Sequence, residues 1–588
     1  MKYMTSLEAA TILGRTKRYI NSLCNDHKMP GAYKQGNRWM IPEESVYEKV
    51  GNKVGSAGKN RSFNTTGVCL PNEHYMVDLD QRLAQVKKLV DDGKYFTINR
   101  ARQFGKTTTL QALYDYLNHD YFVVSMDFQM QMSDAKFKNE NSFSIAFAKA
   151  FTNSFRVNPE SKKKVNQDAI TEFQEAYKED GDQFELVELF QAISTLCNKV
   201  SKPMVLMIDE VDSATNNQVF LDFLAQLRGY YINRNRFATF QTVILAGVYD
   251  IKNLKRKMRS EDEHKDNSPW NIAADFDIDM SFSALQIAAM LKDYEADHKT
   301  GMNLSDMAQE IYDYTDGYPY LVSRLCQILD KMESDAKGHT AWSHEGFLDA
   351  VNTLVYETNA LFDDIAKKLK DYPVLENILH EILFCGKSIP FNLATELVSI
   401  GFMFGFLKNE DGQVAVANRI FEIWLYNLFI AEEALESRTY HAGQDGKIQF
   451  IKGDELDMKR ILTKFVEHFI DVYGKDTDAF IEENGRKLFL LYIRPLINGT
   501  GHYYIESRTR SMGRTDLIID YKGKQYVIEM KIWHGDEYNS RGEQQLISYL
   551  EDYNLERGYM LSFNFNKNKT VGVMERHFKK HTLVEAVV

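Results

Sequence analysis

Tyr95–Leu110 reads YFTINRARQFGKTTTL. An apolar-leaning strand, Tyr95–Asn99, runs into a short turn and then into Gly105-Lys106-Thr107. A helical pattern follows through Leu110, Leu113 and Leu117. Strand, turn, GKT and helix are the parts of a loop that cradles phosphate. Glycine lets backbone N–H groups approach an anion closely. A helix N-terminus adds oriented donors and the positive end of a dipole. Lys106 is placed to reach β- and γ-phosphates, and the Thr107 hydroxyl to help hold Mg²⁺. The candidate nucleotide-binding residues of the turn are Arg102, Gly105, Lys106, Thr107 and Thr108. Arg100 stands where the full G-x-x-x-x-G-K-[ST] pattern has its first glycine.

A second signal lies about a hundred residues on. Met204–Ile208 (MVLMI) is a buried-strand run that ends in Asp209-Glu210. Asp209 at a strand end can hold the Mg²⁺ shell, and Glu210 beside it can orient or activate water. An ordinary acidic exit from a strand is the bland alternative. Both signals, in this order and spacing, favour a site for ATP and Mg²⁺.

With 588 residues, three or four domains are expected. A net charge of −12 argues against a wholly basic nucleic-acid coat and leaves room for a local DNA site. Five scattered cysteines form no CxxC pair, which disfavours a zinc ribbon or disulfide framework and fits a reducing cytoplasm. The N-terminus lacks the apolar core of a signal peptide. No run of 18 apolar residues is present, so no membrane span is expected.

Residues 1–48 carry their own signals. Thr5 and Glu8 make a capping box ahead of a helix through Leu7, Ala10 and Leu13, ended by Gly14. Thr16 can cap a second helix with Lys17 and Arg18 on its polar side, and Ala32–Ile41 reads as a hairpin carrying Lys34 and Arg38. Positions 1–45 hold 7 basic and 4 acidic residues, so the unit is locally positive. Lys17, Arg18, Lys34 and Arg38 are candidate DNA contacts, with the second helix offered to the major groove. A small protein-interaction or dimerisation module is the alternative. Residues 49–66, centred on the Gly/Ser/Asn-rich Gly51–Asn64, read as a flexible linker.

Residues 67–282 alternate strands and helices. Tyr121–Phe128 and Thr242–Gly247 add to the strands already named, which predicts a parallel sheet covered on both faces. Ligands bind at the carboxyl ends of such strands, where both motifs sit. Arg228, Arg234 and Arg236 follow; solvated helix charge is the commoner reading, a catalytic arginine the sharper one. Residues 283–436 are helical, broken by a hairpin around Glu410-Asp411-Gly412, and Ser437–Lys447 reads as a polar connector.

Residues 450–588 hold a different constellation. Thr515–Tyr521, the turn Lys522-Gly523-Lys524 and Gln525–Trp533 read as a hairpin. Side chains alternate along a strand, so Glu529 and Lys531 share a face while Met530 points to the core. Asp516 on the partner strand can converge with them. Two carboxylates beside one lysine suit metal-assisted phosphodiester hydrolysis, with the carboxylates holding Mg²⁺ and Lys531 acting on water. An exposed charged hairpin is the plain alternative.

The segments HYMVDLDQRL, YFTINRARQFGKTTTL, LMIDEVDSATNNQVFLDFLAQLR and YTDGYPYLVSRLC together resemble the bacterial AAA-like ATPase family over roughly residues 70–435. That resemblance implies an ATPase in which Arg100 in place of glycine is usual. Gly317-Tyr318-Pro319 resembles the GxP turn of a helical lid, and the following hairpin a winged helix. Residues 1–48 resemble an excisionase-like winged helix-turn-helix. Asp516, Glu529-x-Lys531, and Gln545-x-x-x-Tyr549 on a predicted helix resemble the PD-(D/E)xK nucleases. This resemblance implies a further acidic metal ligand on a helix near Glu482-Glu483, for which Glu483 is the choice, and an accessory role for Gln545.

The expected fold is therefore α/β and multidomain: a P-loop NTPase parallel sheet with helical lid and winged helix, a small N-terminal winged helix-turn-helix, and a C-terminal α/β restriction-endonuclease-like domain at 450–588. The expected function is an ATP-controlled, DNA-directed, metal-dependent nuclease, compatible with a homo-oligomer. The runner-up is an ATP-switched transcriptional regulator whose nuclease-like domain does not cleave.

Overall fold

The computed structural model describes residues 3–6, 9, 20–21, 24, 31–36, 38–42, 61–157, 167–179, 181–248, 270–335, 341–385, 388–434, 437–445, 447–473, 482–497, 501–506, 515–532, 543–544, 546–551, 555–564, 570–578 and 580–588. The chain forms two compact units. One comprises Met1–Ser62 with Pro71–His74, the other Phe63–Leu70 with Tyr75–Val588.

The first unit contains three short strands, β1 (Tyr3–Thr5), β2 (Tyr33–Gln35) and β3 (Arg38–Pro42). They form an antiparallel sheet in the order β1-β3-β2. The β2–β3 pair is the hairpin expected from Ala32–Ile41. The sequence reading has no counterpart for β1, because Thr5 looks like a helix cap and is also the last residue of that strand. Ala9, Ile20, Cys24 and Ile41 form a small core. Lys34 is exposed and its ammonium lies 5.3 Å over the Trp39 ring. Lys17 and Arg18 lie outside the described residues, as does the side chain of Arg38.

The second unit begins with a four-stranded sheet: β4 (Phe96–Asn99), β5 (Phe122–Asp127), β6 (Met204–Asp209) and β7 (Thr242–Gly247). All neighbours are parallel and the order is β4-β7-β6-β5. Every residue of β6 and β7 is buried, which explains their continuous apolar runs: both faces are covered. Leu110, Leu113 and Leu117 of the helix Lys106–Leu117 pack in the core on one face. An aromatic cluster including Phe128, Phe147, Phe220 and Phe223 fills the other.

A helical region follows, from Ala284–His298 through Leu304–Thr315, Pro319–Asp335 and His344–Tyr356 to Ala360–Asp371. Ser283 starts it with a capping box to Gln286. The expected hairpin is present as β8 (Leu407–Glu410) and β9 (Gln413–Val416), with Asp411 and Gly412 both at positive φ. That pair of left-handed residues is what a two-residue hairpin turn requires. The helix Arg419–Ala434 closes the region. Phe63, read as linker, is buried, with its ring 5.0 Å from Tyr75 and 5.2 Å from Tyr294. One aromatic residue in a polar run is enough to anchor it.

The C-terminal part contains a two-residue pair, β10 (Ile451–Lys452) and β11 (Glu455–Leu456), and a six-stranded mixed sheet. Its strands are β12 (Gly501–Glu506), β13 (Thr515–Tyr521), β14 (Lys524–Ile532), β15 (Arg557–Phe563), β16 (Gly572–Phe578) and β17 (His581–Val587). Their order is β12-β13-β14-β15-β17-β16. The expected connector Ser437–Lys447 is instead largely the helix Arg438–Asp445, packed on the helix Glu482–Ile497. A Cβ at Gly443 would sit 1.9 Å from the Tyr492 carbonyl oxygen, so this crossing is backbone on backbone. Among the described residues, no helix is long and apolar enough to cross a membrane.

Candidate functional site

The turn after β4 carries two left-handed residues, Gln103 at φ 57° and Gly105 at φ 76°. Arg100 is not among the positive-φ residues, so the position that lacks glycine does not need one. Its guanidinium turns away from the loop. It donates to the carbonyls of Phe276 and Ile278 at 3.3 and 2.9 Å and lies 5.3 Å over the Phe276 ring. Arg100 thus ties the loop to the segment that follows β7.

Lys106, only 7% exposed, donates through Nζ to the carbonyls of Arg100 and Ala101, both at 2.9 Å. Burial pulls its pKa down, against the pull of Asp212, Glu210 and Asp209. The Thr107 hydroxyl donates to Asp209 Oδ2 at 2.9 Å, and the Glu210 backbone N–H donates to Asp209 Oδ1 at 2.9 Å. Burial, as the largest cause, raises the Asp209 and Glu210 carboxyls above their ordinary range. Glu210 itself sits at φ 55°, ψ 41°. For a non-glycine residue that conformation costs about 1–3 kcal/mol and clusters at functional sites.

Lys106, Thr107 and Glu210 line a cavity of about 1040 Å³. Its other walls come from Asn64–Gly67, Tyr75–Val77, Pro319 and Lys368, among others. Arg102 is mostly exposed and faces Asp364 at 3.7 Å. Thr108 also lines the cavity, but its hydroxyl accepts from the Cys69 backbone N–H at 3.1 Å, so it helps seat the segment ahead of the core.

Two residues absent from the sequence reading complete the strand ends. Asp212 accepts from the Val248 N–H at 2.7 Å and so fixes the exit of β7. Asp127 pairs beside Asp209 in the parallel ladder and caps the short turn after β5 by accepting from the Met130 N–H. Their signal was position: each lies at a strand's carboxyl end or within three residues of Asp209. Arg234 is at the opposite end of the sheet, donating to the Gly93 carbonyl at 3.0 Å beside a cavity of about 590 Å³. It is therefore not positioned as a catalytic arginine for the P-loop.

In the C-terminal sheet, β13 and β14 pair from Tyr521↔Lys524 to Leu517↔Ile528. The next residues along the two strands are Asp516 and Glu529. Glu529 is 3% exposed and Lys531 Nζ lies 3.2 Å from its Oε1. Met530 is fully buried, as its alternation requires. The buried charged pair rules out the plain exposed-hairpin reading. In the parallel β14–β15 ladder Lys531 pairs with Ser562 and Ile532 with Phe563. A Cβ on Gly485 would meet the Phe563 ring at 2.4 Å, so the start of the helix Glu482–Ile497, which includes Glu483, approaches that end of the sheet. The side chains of Asp516 and Glu483, and all of Gln545, lie outside the described residues. Among the described residues, no group of three or more His, Cys, Asp or Glu is placed to hold a metal ion. Tyr549 is buried in the core that covers this sheet face. An unforeseen network lies alongside: Arg576 bonds Glu543 at 2.5 Å and faces Glu585 at 3.1 Å, and both carboxylates are buried.

Residues 68–427 match the family model of the AAA-like domain. No curated protein matches the chain. Among solved structures, the chain is similar to a Walker-type ATPase of Pyrococcus abyssi at 13% identity and TM-score 0.44, covering 62% of this chain and 99% of that one. It is similar to an Aeropyrum pernix ORC2 protein in ADPNP–ADP complexes at 11% identity and TM-score 0.37, covering 64% and 99%. It is also similar to a Thermotoga maritima RuvB mutant at 11% identity and TM-score 0.27, covering 58% and 92%.

Proposed function

The chain belongs to the AAA-like domain family, and on that premise we propose that it binds ATP with Mg²⁺ beside Gly105-Lys106-Thr107 and hydrolyses it. The observation that carries this is the Thr107–Asp209 hydrogen bond set next to the buried Lys106 ammonium in an open cavity. The donor set fits the group. Backbone N–H groups at the start of Lys106–Leu117 and the Lys106 ammonium would hold phosphate oxygens. The Thr107 hydroxyl and the Asp209 carboxylate would hold Mg²⁺, which neutralises charge on the phosphates. Glu210, its carboxyl raised by burial, orients a water and takes up its proton. Nucleotide titration and phosphate release, compared between wild type, Lys106→Ala and Glu210→Gln, test the assignment. Equal affinity in wild type and Lys106→Ala overturns it.

A second reading concerns the C-terminal sheet. A metal-dependent nuclease acting on DNA, controlled by the ATPase, is supported by the buried Glu529–Lys531 pair one ladder step from Asp516. Glu529 and Asp516, with Glu483, would hold Mg²⁺, and Lys531 would polarise the attacking water. The N-terminal unit, through Lys17, Arg18, Lys34 and Arg38, would locate DNA. Supercoiled plasmid incubated with the full chain, with and without ATP and Mg²⁺, separates this from the non-cleaving regulator.

A further inference from the structure

Two tyrosines four residues apart bracket the Thr315-Asp316-Gly317 turn. The Tyr318 hydroxyl donates to the Arg102 carbonyl of the P-loop at 2.5 Å. The Tyr314 hydroxyl donates to Asp520 Oδ2 of β13 at 3.1 Å. Asp520 is 1% exposed, and it lies on the same strand as Asp516, four residues away. Alternation puts residues four apart on one face of a strand.

The turn between the tyrosines is stiff. Asp316 and Gly317 both have positive φ. Gly317 accepts the Phe282 N–H at 2.8 Å, and a Cβ on Gly317 would lie 2.1 Å from the Phe282 carbonyl oxygen. One helix braces both tyrosines: Arg419 lies 5.0 Å over the Tyr314 ring, and the Phe421 ring is 5.5 Å from that of Tyr318. A buried carboxylate that accepts from a buried tyrosine hydroxyl is a high-stakes contact, because a polar partner lost inside the protein is not replaced by water.

The P-loop end is able to change with ligand. Three successive loop carbonyls are engaged by side chains: Arg100 and Ala101 by Lys106, and Arg102 by Tyr318. A phosphate that draws the Lys106 ammonium releases two of them and alters the loop that the third belongs to. That is the differential interaction a ligand needs to shift an equilibrium.

We propose that Tyr314–Tyr318 is a joint that carries the nucleotide state of the P-loop to strand β13, and so regulates the centre formed around Asp516 and Glu529. The inference rests on the nucleotide-binding and nuclease readings above. Nucleotide would reset the loop carbonyls, the stiff turn would transmit the change as a unit, and the Tyr314–Asp520 contact would pass it to the strand that bears Asp516.

Hydrogen–deuterium exchange on the full chain tests it, with ADP, with a non-hydrolysable ATP analogue and without nucleotide. Peptides over the P-loop report binding, and peptides over Thr515–Tyr521 report the strand. In wild type, both sets should change with nucleotide. In Tyr314→Phe the P-loop response should persist and the strand response should vanish. If that variant does not fold, Asp520→Asn is read in the same way. A strand response that survives the folded variant overturns the joint, as does a wild-type strand indifferent to nucleotide while the P-loop is protected. Absence of P-loop protection together with absence of nucleotide binding removes the nucleotide reading itself, and the joint with it.

Discussion

Lys106 and Lys531 are both largely buried, yet they are held in opposite ways. Lys106 donates to two backbone carbonyls, which are neutral. Lys531 faces a carboxylate, Glu529, at 3.2 Å. Neutral acceptors satisfy an ammonium without cancelling its charge, so Lys106 keeps its pull on an incoming anion. An ion pair cancels much of the local field, and the Glu529–Lys531 pair suits a site that waits for a cation to take the carboxylate. The supports differ too. The P-loop depends on left-handed residues at Gln103 and Gly105, and the acidic strand end beside it on Glu210. The C-terminal pair depends on strand register, where a one-residue slip would exchange Met530 for its charged neighbours.

The largest expected effect separates binding from chemistry at the first site. Glu210→Gln should keep nucleotide affinity and slow hydrolysis by about 10²–10⁴-fold, the usual share of a general base; single-turnover phosphate release measures it. Next, Lys106→Ala should weaken nucleotide binding by about 2–5 kcal/mol, roughly 30- to 4000-fold. Its cost to folding should be only about 1 kcal/mol per lost hydrogen bond.

Lys531→Ala should invert that pattern. It leaves Glu529 buried without its cation, which costs about 3–5 kcal/mol of stability. Adding Glu529→Gln should recover part of the loss, so denaturant unfolding of the two singles and the double gives a coupling energy. Met530→Ala should also cost about 2–5 kcal/mol, as a buried methionine, with no recovery from Glu529→Gln. Additive behaviour of Lys531→Ala and Glu529→Gln would erase the contrast between the two lysines.

Smaller effects follow from pH and salt. Burial raises Asp209 and Glu210, so the folded site holds protons more tightly than the unfolded chain. Without ligand, the stability tied to these groups is present near the ordinary carboxylate range, about pH 4, and is lost as pH rises through the raised folded values. Glu210→Gln should therefore raise the Tm of the ligand-free chain at neutral pH, and its margin over wild type should shrink on acidification. Finally, if the N-terminal unit contacts DNA, removing residues 1–48 should leave ATP hydrolysis intact. It should also reduce the salt dependence of DNA retention, where each phosphate contact contributes a slope of about −0.9 in log K against log salt.

Much of the first site is readable along the chain because its signals are local. GKT follows a strand directly, and Asp209-Glu210 ends another. What escaped were the partners set by distant returns of the backbone. Nothing near Arg100 announces that it binds the carbonyls of Phe276 and Ile278. Nothing near Tyr318 announces Arg102. The alternation of β14 placed Glu529, Lys531 and Met530 correctly by face. It could not reveal that both faces are covered, since that depends on Leu546, Tyr549 and Leu550 and on the helices behind the sheet. Ser437–Lys447 looked like a connector because its polarity hides the one decisive residue, Gly443, whose missing side chain lets two helices touch.

The Arg100 tether also has a consequence in time. Its carbonyl partners lie 176 and 178 residues downstream. A ribosome adding about 5–20 residues per second needs roughly 10–35 s to deliver them. Through that interval the nascent P-loop has its glycine, its lysine and its first strand, but not the segment that fastens Arg100. The tether of the loop proposed above to hold nucleotide is complete only once the polypeptide has come back on itself.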